Sequence, residues 1–247
     1  MRRKRSAGNN HSASIMDTGL NILLMSGISI GFIHTLIGVD HSLPFVVLGR
    51  AQGWSLTKVL TITGLCGLGH VLSSVVLGTV GIGFGVAISK LEWVEGARGS
   101  LAAWTLILFG LTYAAWSFAR QRRRQRHTHE HQGLVHSHEH SGDASHKHGA
   151  ASPAAVTAWS LFIIFVLGPC EPLIPLLMVP ALDYGTSGVI QVALAFGLTT
   201  IGTMLLVVTV GYYGLKMAAF QRLEVHANTL AGLAIAASGV AIQMFGI

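Results

Sequence analysis

The sequence predicts an all-α membrane protein with six transmembrane helices, built as two inverted repeats of three helices each. The first observation behind this is composition: 51% of the 247 residues are hydrophobic, 11% are charged, and the mean hydropathy is +0.58. Soluble domains carry about 25% charged residues. The second observation is a series of six apolar runs, and the third is a pattern that recurs half a chain apart.

The six apolar runs are each close to the ~20 residues that a helix needs to cross a bilayer. They are continuous rather than alternating, which favours helices over a barrel. The first and fourth runs contain glycine and proline, so we expect both helices to be broken, near Gly38 and near Gly168. The runs cover residues 19–48, 58–88, 100–118, 155–180, 188–214 and 228–246.

The second half of the chain repeats the first at an offset of 129 to 131 residues. Asp40 and Pro44 fall on Glu171 and Pro175, and further matches follow in the same order. A unit of three spans is odd-numbered, so the second copy must be inverted relative to the first. Folds of this kind hold the transported species near the midplane, where broken helices from the two halves meet.

Four segments follow from this pattern: an N-terminal tail (1–18), a first repeat (19–118), a histidine-rich disordered loop (119–154) and a second repeat (155–247). Alternate loops carry ten Lys and Arg against six, which places the histidine loop in the cytoplasm. The basic residues 2–5 then lie on the opposite side, and a translation start at Met16 would remove that conflict. The basic residues flank apolar runs, so they indicate membrane topology and not nucleic-acid binding.

Away from the ends of the apolar runs, five ionisable side chains lie within them, and each costs about 2.5 to 3.5 kcal/mol to insert at the membrane centre. They are therefore candidate functional residues, although an interhelical hydrogen bond also explains any single histidine. Imidazole and carboxylate together suit nickel, cobalt or zinc better than calcium. Cys170 adds a candidate soft ligand, and the predicted metal residues are His34, Asp40, His41, His70, Glu171 and Cys170.

The loop between the third and fourth runs repeats an alternating His-X-His pattern three times. Eight of the thirteen histidines fall within twenty-two residues, a density that a polar linker does not require. Neutral imidazoles are common transition-metal ligands, so the loop predicts metal binding that weakens below a pH of about 6.5. These histidines are His127, His129, His131, His136, His138, His140, His146 and His148.

The spacing of His34, Asp40 and His41, a histidine followed by five residues and then Asp-His, resembles the signature of hydrogenase- and urease-associated nickel permeases. The nickel/cobalt permeases and nickel/cobalt efflux proteins are similar. The resemblance implies a nickel or cobalt transporter in which His34, Asp40 and His41 are essential. The second half departs from the family, because a Gly-Pro-Cys-Glu-Pro stretch beginning at Gly168 replaces its later histidine motif.

The sequence therefore predicts a secondary transporter of divalent transition metals, not an enzyme, with no resident cofactor. Its expected partners are the metal ion, the bilayer, and a second copy of the chain or a metallochaperone, at a bacterial inner membrane. Two alternatives stay open. A thiol–disulfide electron carrier of the cytochrome c maturation type would use Cys66 and Cys170. A sulfite- or sulfonate-type anion exporter shares the repeated architecture, but Asp40 and Glu171 would repel its substrate.

Overall fold

The computed structural model describes residues 3–86, 88–125, 153–168, 170, 172–217 and 226–245. Nearly all of this part of the chain is helical, with no β-strand, as the composition predicts. A short 3-10 turn, Val39–His41, lies between the first two of its α-helices. The α-helices are α1 (Arg3–Ile37), α2 (Leu43–Ala51), α3 (Leu56–Gly83), α4 (Ile88–Gln125), α5 (Pro153–Leu167), α6 (Leu173–Asp183), α7 (Gly185–Met217) and α8 (Ala227–Phe245).

Five of these helices are long and apolar enough to cross a membrane: α1 from Thr18 onward, α3, α4, α7 and α8. Their outer faces carry large apolar side chains, such as Leu198 and Val210, that are 70% and 64% exposed. In lipid such side chains have the apolar surroundings that water does not offer. The protein is therefore a multi-pass integral membrane protein.

The helix bounds differ from the predicted spans at three places. Helix α1 begins at Arg3, within the predicted tail, and α4 begins twelve residues before the predicted third span. The apolar window missed the start of α4 because charged residues lie there. The run at 155–180 is divided between α5 and α6, of 15 and 11 residues, and neither reaches the ~20 residues of a span.

The chain leaves helical geometry at residues with a physical reason to do so. Gly38 is extended (φ −67°, ψ 99°) and its N–H closes the last turn of α1 on the His34 carbonyl at 2.9 Å. Pro44 follows in the first turn of α2, where a missing N–H costs nothing. Pro172 occupies the N-cap of α6. Each interruption places a short non-helical segment among the packed helices.

Helices α4 and α8 pack along each other at very close range. A Cβ added to Gly110 would lie 2.5 Å from the Gly232 carbonyl, and one added to Gly239 would lie 2.8 Å from the Ala103 carbonyl. Small residues allow backbones to approach in this way in membranes. Helix α7 packs against α1, α3 and α6, so that it links the two halves of the chain.

The two ends of the helix bundle differ in chemistry. At one end, which we call the basic end, Arg50 lies 5.0 Å above the Tyr212 ring and Lys58 lies 4.5 Å from the Trp54 ring. The Tyr212 hydroxyl donates to the Trp54 carbonyl at 2.8 Å, which joins α7 to the chain between α2 and α3. At the other end, which we call the Gln243 end, Ser100 of α4 lies 3.4 Å from Gln243 of α8.

Candidate metal site

Three imidazole rings from three different elements meet inside the bundle. His34 lies in the last turn of α1, His41 in the 3-10 turn and His70 in α3. The His41 ring centroid lies 4.9 Å from that of His34 and 5.2 Å from that of His70. His41 and His70 are each 2% exposed, while His34 is half-buried. The structure thus brings together three of the predicted metal residues.

Hydrogen bonds assign the ring nitrogens of two of these histidines. The Asp40 carboxylate accepts from His41 Nδ1 at 2.9 Å, and the Phe165 carbonyl accepts from His70 Nδ1 at 3.3 Å. Carboxylates and backbone carbonyls hold metal-binding histidines in the same way, since they fix the tautomer and leave Nε2 as a lone-pair donor. Asp40 therefore contacts the site through His41.

The Nε2 atoms of all three histidines are buried and have no hydrogen-bond partner within the described part of the chain. Buried polar atoms are nearly always paired, so three unpaired nitrogens in one cluster call for a ligand. Two of the three have a lone pair assigned by the neighbouring hydrogen bonds. A cation that takes imidazole nitrogen satisfies this arrangement.

Cys170, from the segment between α5 and α6, approaches two of these histidines. One ligand atom from each of His34, His70 and the buried Cys170 lies within 4.8 Å of the others. Around a tetrahedral ion, bonds of about 2.0 Å to nitrogen and 2.3 Å to sulfur place the ligand atoms about 3.5 Å apart. A bound ion would therefore draw the three groups inward by about 1 Å.

A cavity of about 370 Å³ leads from this cluster toward the Gln243 end. His34, Asp40, His41 and His70 line it together with residues of α4, of α8 and of α5 and the segment after it, Phe165 included. Phe45, whose ring is buried, lies on α2 between His41 and Arg50 of the basic end and does not line the cavity. The cavity thus reaches the cluster from the side of α4 and α8.

Glu95 and Arg98 of α4 are two site residues that the sequence reasoning missed. They form a salt bridge of 2.5 Å beside the cavity, and Glu95 is 1% exposed. Glu95 Oε2 accepts the Cys170 backbone N–H at 3.1 Å. Their spacing could have identified them in the sequence. An acid and a base three residues apart share one helix face and can form an ion pair.

Other predicted residues lie apart from the cluster or outside the described residues. Cys66 is buried in an apolar cluster with Phe45 and Leu161, whereas Cys170 belongs to a second one with Leu173 and Phe196. Glu171 and the eight loop histidines at 127–148 lie outside the described part of the chain. Their contribution stays a prediction.

No family model matches the sequence, and neither the curated proteins nor the solved structures provide a match.

Proposed function

We propose that this protein is a secondary transporter that carries a divalent transition-metal cation across the membrane, with nickel or cobalt favoured by the resemblance of its His34, Asp40 and His41 motif. The observation that carries the proposal is the set of three buried Nε2 atoms that have no hydrogen-bond partner among the described residues. The thiol of Cys170 lies near two of these histidines, His34 and His70. Imidazole and thiolate select transition metals over calcium or magnesium.

An inverted repeat of three helices in each half is part of the proposal, and reciprocal contacts support it. Gly110 faces Gly232 across the contact between α4 and α8, and Gly239 faces Ala103. Adding 129 to 103 and 110 gives 232 and 239. The two contacts are thus equivalent under exchange of the two halves. A pseudo-twofold axis between α4 and α8 would produce this equivalence.

A second reciprocal pair joins α3 to α7. A Cβ on Gly67 would lie 3.3 Å from the Ile201 side chain, and one on Gly197 would lie 3.0 Å from that of Val71. Adding 130 to 67 and 71 gives 197 and 201. The predicted broken first and fourth spans correspond to α1 with α2 and α5 with α6, and each interruption supplies one ligand segment.

Transport by such a fold proceeds by rocking one half against the other around the fixed site. The cavity connects the cluster to the Gln243 end, while the buried Phe45 ring lies on α2, between His41 and Arg50 of the basic end. The excess of Lys and Arg assigns the basic end to the cytoplasm. In this proposal the conformation is open outward, and the buried Phe45 ring lies on the closed route to the cytoplasm.

Helix α4 ends at Gln125, and the histidine-rich loop follows it in the sequence. On the cytoplasmic side its eight imidazoles would receive ions from the site or deliver ions to it. In this proposal the loop is a low-specificity metal buffer and not part of the central site.

The proposal is tested by accumulation of radiolabelled nickel and cobalt in cells that express the protein. We expect the wild type to change accumulation and His41→Ala and His70→Ala to abolish the change. His226→Ala is the matched control, since His226 is exposed and outside the cluster. The proposal fails if the wild type moves neither ion and also fails with zinc, manganese and copper.

A further inference from the structure

Glu95 is a buried acid, and both of its carboxylate oxygens have polar partners. Besides the salt bridge to Arg98, its Oε2 lies 3.1 Å from the Cys170 nitrogen and 3.5 Å from Ser74 Oγ. A buried charge is tolerated only when its remaining lone pairs are satisfied in this manner. One carboxylate oxygen therefore accepts a hydrogen bond from the segment that carries Cys170.

Arg98 holds the chain that leads into the same segment. Its Nη2 donates to the Val166 carbonyl at 2.9 Å and to the Gly168 carbonyl at 3.3 Å. These carbonyls lie at the C-terminal end of α5, where a helix leaves its last carbonyls without internal partners. Nη2 also donates to Ser73 Oγ at 2.8 Å, which fixes the guanidinium to α3.

The pair thus holds the chain just before the thiol, at residues 166 and 168, and at the backbone N–H of residue 170 itself. Cys170 lies between two helices, where its carbonyl accepts the Leu173 N–H at 2.9 Å and its own N–H is held by Glu95. Without Glu95 and Arg98, α4 would lose the polar contacts through which it holds this segment.

We propose that Glu95 and Arg98 are positioning residues that hold the Cys170 backbone so that its thiol joins His34 and His70 around the metal ion. This rests on the proposed function, and it narrows the substrate to thiophilic divalent ions. With the thiol in place, the site favours cobalt and zinc over manganese, because thiolate is a soft ligand and manganese prefers oxygen. Neither residue touches the ion.

The test is a cobalt titration of the full chain in detergent. Bound Co²⁺ reports its ligands separately, through a near-ultraviolet thiolate charge-transfer band and through visible d–d bands that persist with nitrogen ligands. Cys170→Ser defines complete loss of the thiolate band. For Glu95→Gln we expect that band to fall by more than half at saturating cobalt, with the d–d bands retained and cobalt affinity about tenfold weaker.

The matched control is Glu92→Gln, since Glu92 is an exposed acid on the same helix, one turn away. It should keep the wild-type spectrum. Selectivity gives a second readout: the ratio of cobalt to manganese affinity should fall in Glu95→Gln and stay unchanged in Glu92→Gln. A residue that only stabilised the fold would not lower the thiolate band of the folded, metal-bound protein.

Arg98→Lys is the second variant, to be used if Glu95→Gln does not give monodisperse protein. Lysine keeps a positive charge near Glu95 but lacks the fork that reaches both carbonyls. It should weaken the thiolate band in the same direction. If folded Glu95→Gln or Arg98→Lys protein shows the full wild-type band, the positioning role is wrong while metal binding stands. If wild-type protein binds no cobalt, the proposed function itself fails.

Discussion

Replacement of Asp40 tests whether this residue orients His41 or binds the ion itself. The Asp40 carboxylate accepts from His41 Nδ1 at 2.9 Å, and the His41 ring is buried. Asparagine keeps an acceptor oxygen but removes the charge, and charge-assisted hydrogen bonds are about twice as strong as neutral ones. The difference is about 1 kcal/mol, so Asp40→Asn should weaken metal affinity about fivefold.

Asp40→Ala removes the acceptor altogether. The buried Nδ1–H would lose its partner, at a cost of about 1 to 3 kcal/mol, and the ring could adopt the tautomer that protonates Nε2 and blocks the lone pair. We expect affinity to fall by about 10- to 100-fold, the range found for outer-shell partners of metal ligands. The order wild type, Asp40→Asn, Asp40→Ala is therefore the expected order of decreasing affinity.

The assay is cobalt titration of purified protein by calorimetry, with Asp183→Asn as control because Asp183 is exposed at the end of α6. Equal affinity in wild type and both Asp40 variants would show that the hydrogen bond to His41 does not support binding. Complete loss in Asp40→Asn, as large as that of Asp40→Ala, would show that Asp40 is a direct ligand. Either result refutes the orienting role.

Three further experiments test other parts of the structure. Cys66→Ser should transport normally while Cys170→Ser should lose metal affinity in a binding titration, whereas an electron carrier would need both thiols. Ser100→Cys should react with a membrane-impermeant maleimide added from the side opposite the histidine loop, and labelling only from the loop side would contradict the outward-open conformation. Gly110→Ala should lower stability in a thermal unfolding assay by about 1 to 3 kcal/mol, because the added methyl meets backbone on α8. Gly202→Ala, where a methyl meets open space, should leave stability unchanged or raise it by up to about 1 kcal/mol.

The helical class and the central histidines could be predicted because both follow from the cost of placing groups in lipid. On a continuous helix, His34 and His41 would be separated by about 10.5 Å along the axis, which is too far for one ion. Their ring centroids are 4.9 Å apart because the chain leaves the helix at Gly38. The sequence shows the glycine, but it does not give the distance between the two histidine rings that the break at Gly38 produces.

The role of Glu95 and Arg98 could not be predicted from hydropathy, which adds the cost of each charge separately. Once the two side chains pair on one face of α4, their combined cost in the bundle is much lower. The apolar window therefore began at residue 100 and assigned both to a loop. The role of Asp40 was hidden for a related reason, since residue type indicates metal chemistry but only the contact with His41 separates an orienting group from a ligand.

The cluster draws its ligands from segments that need not move together. His34 belongs to α1, which packs against α7, while Cys170 follows α5, which packs against α3. A metal–sulfur bond is about 2.3 Å long, so a relative displacement of about 2 Å between these segments would remove the thiol from the ion. In the proposed transporter, rocking of the halves would then change the number of ligands as well as the open side. The ion would be held tightly only while the site is closed around it, and it would be released by the same motion that opens the route.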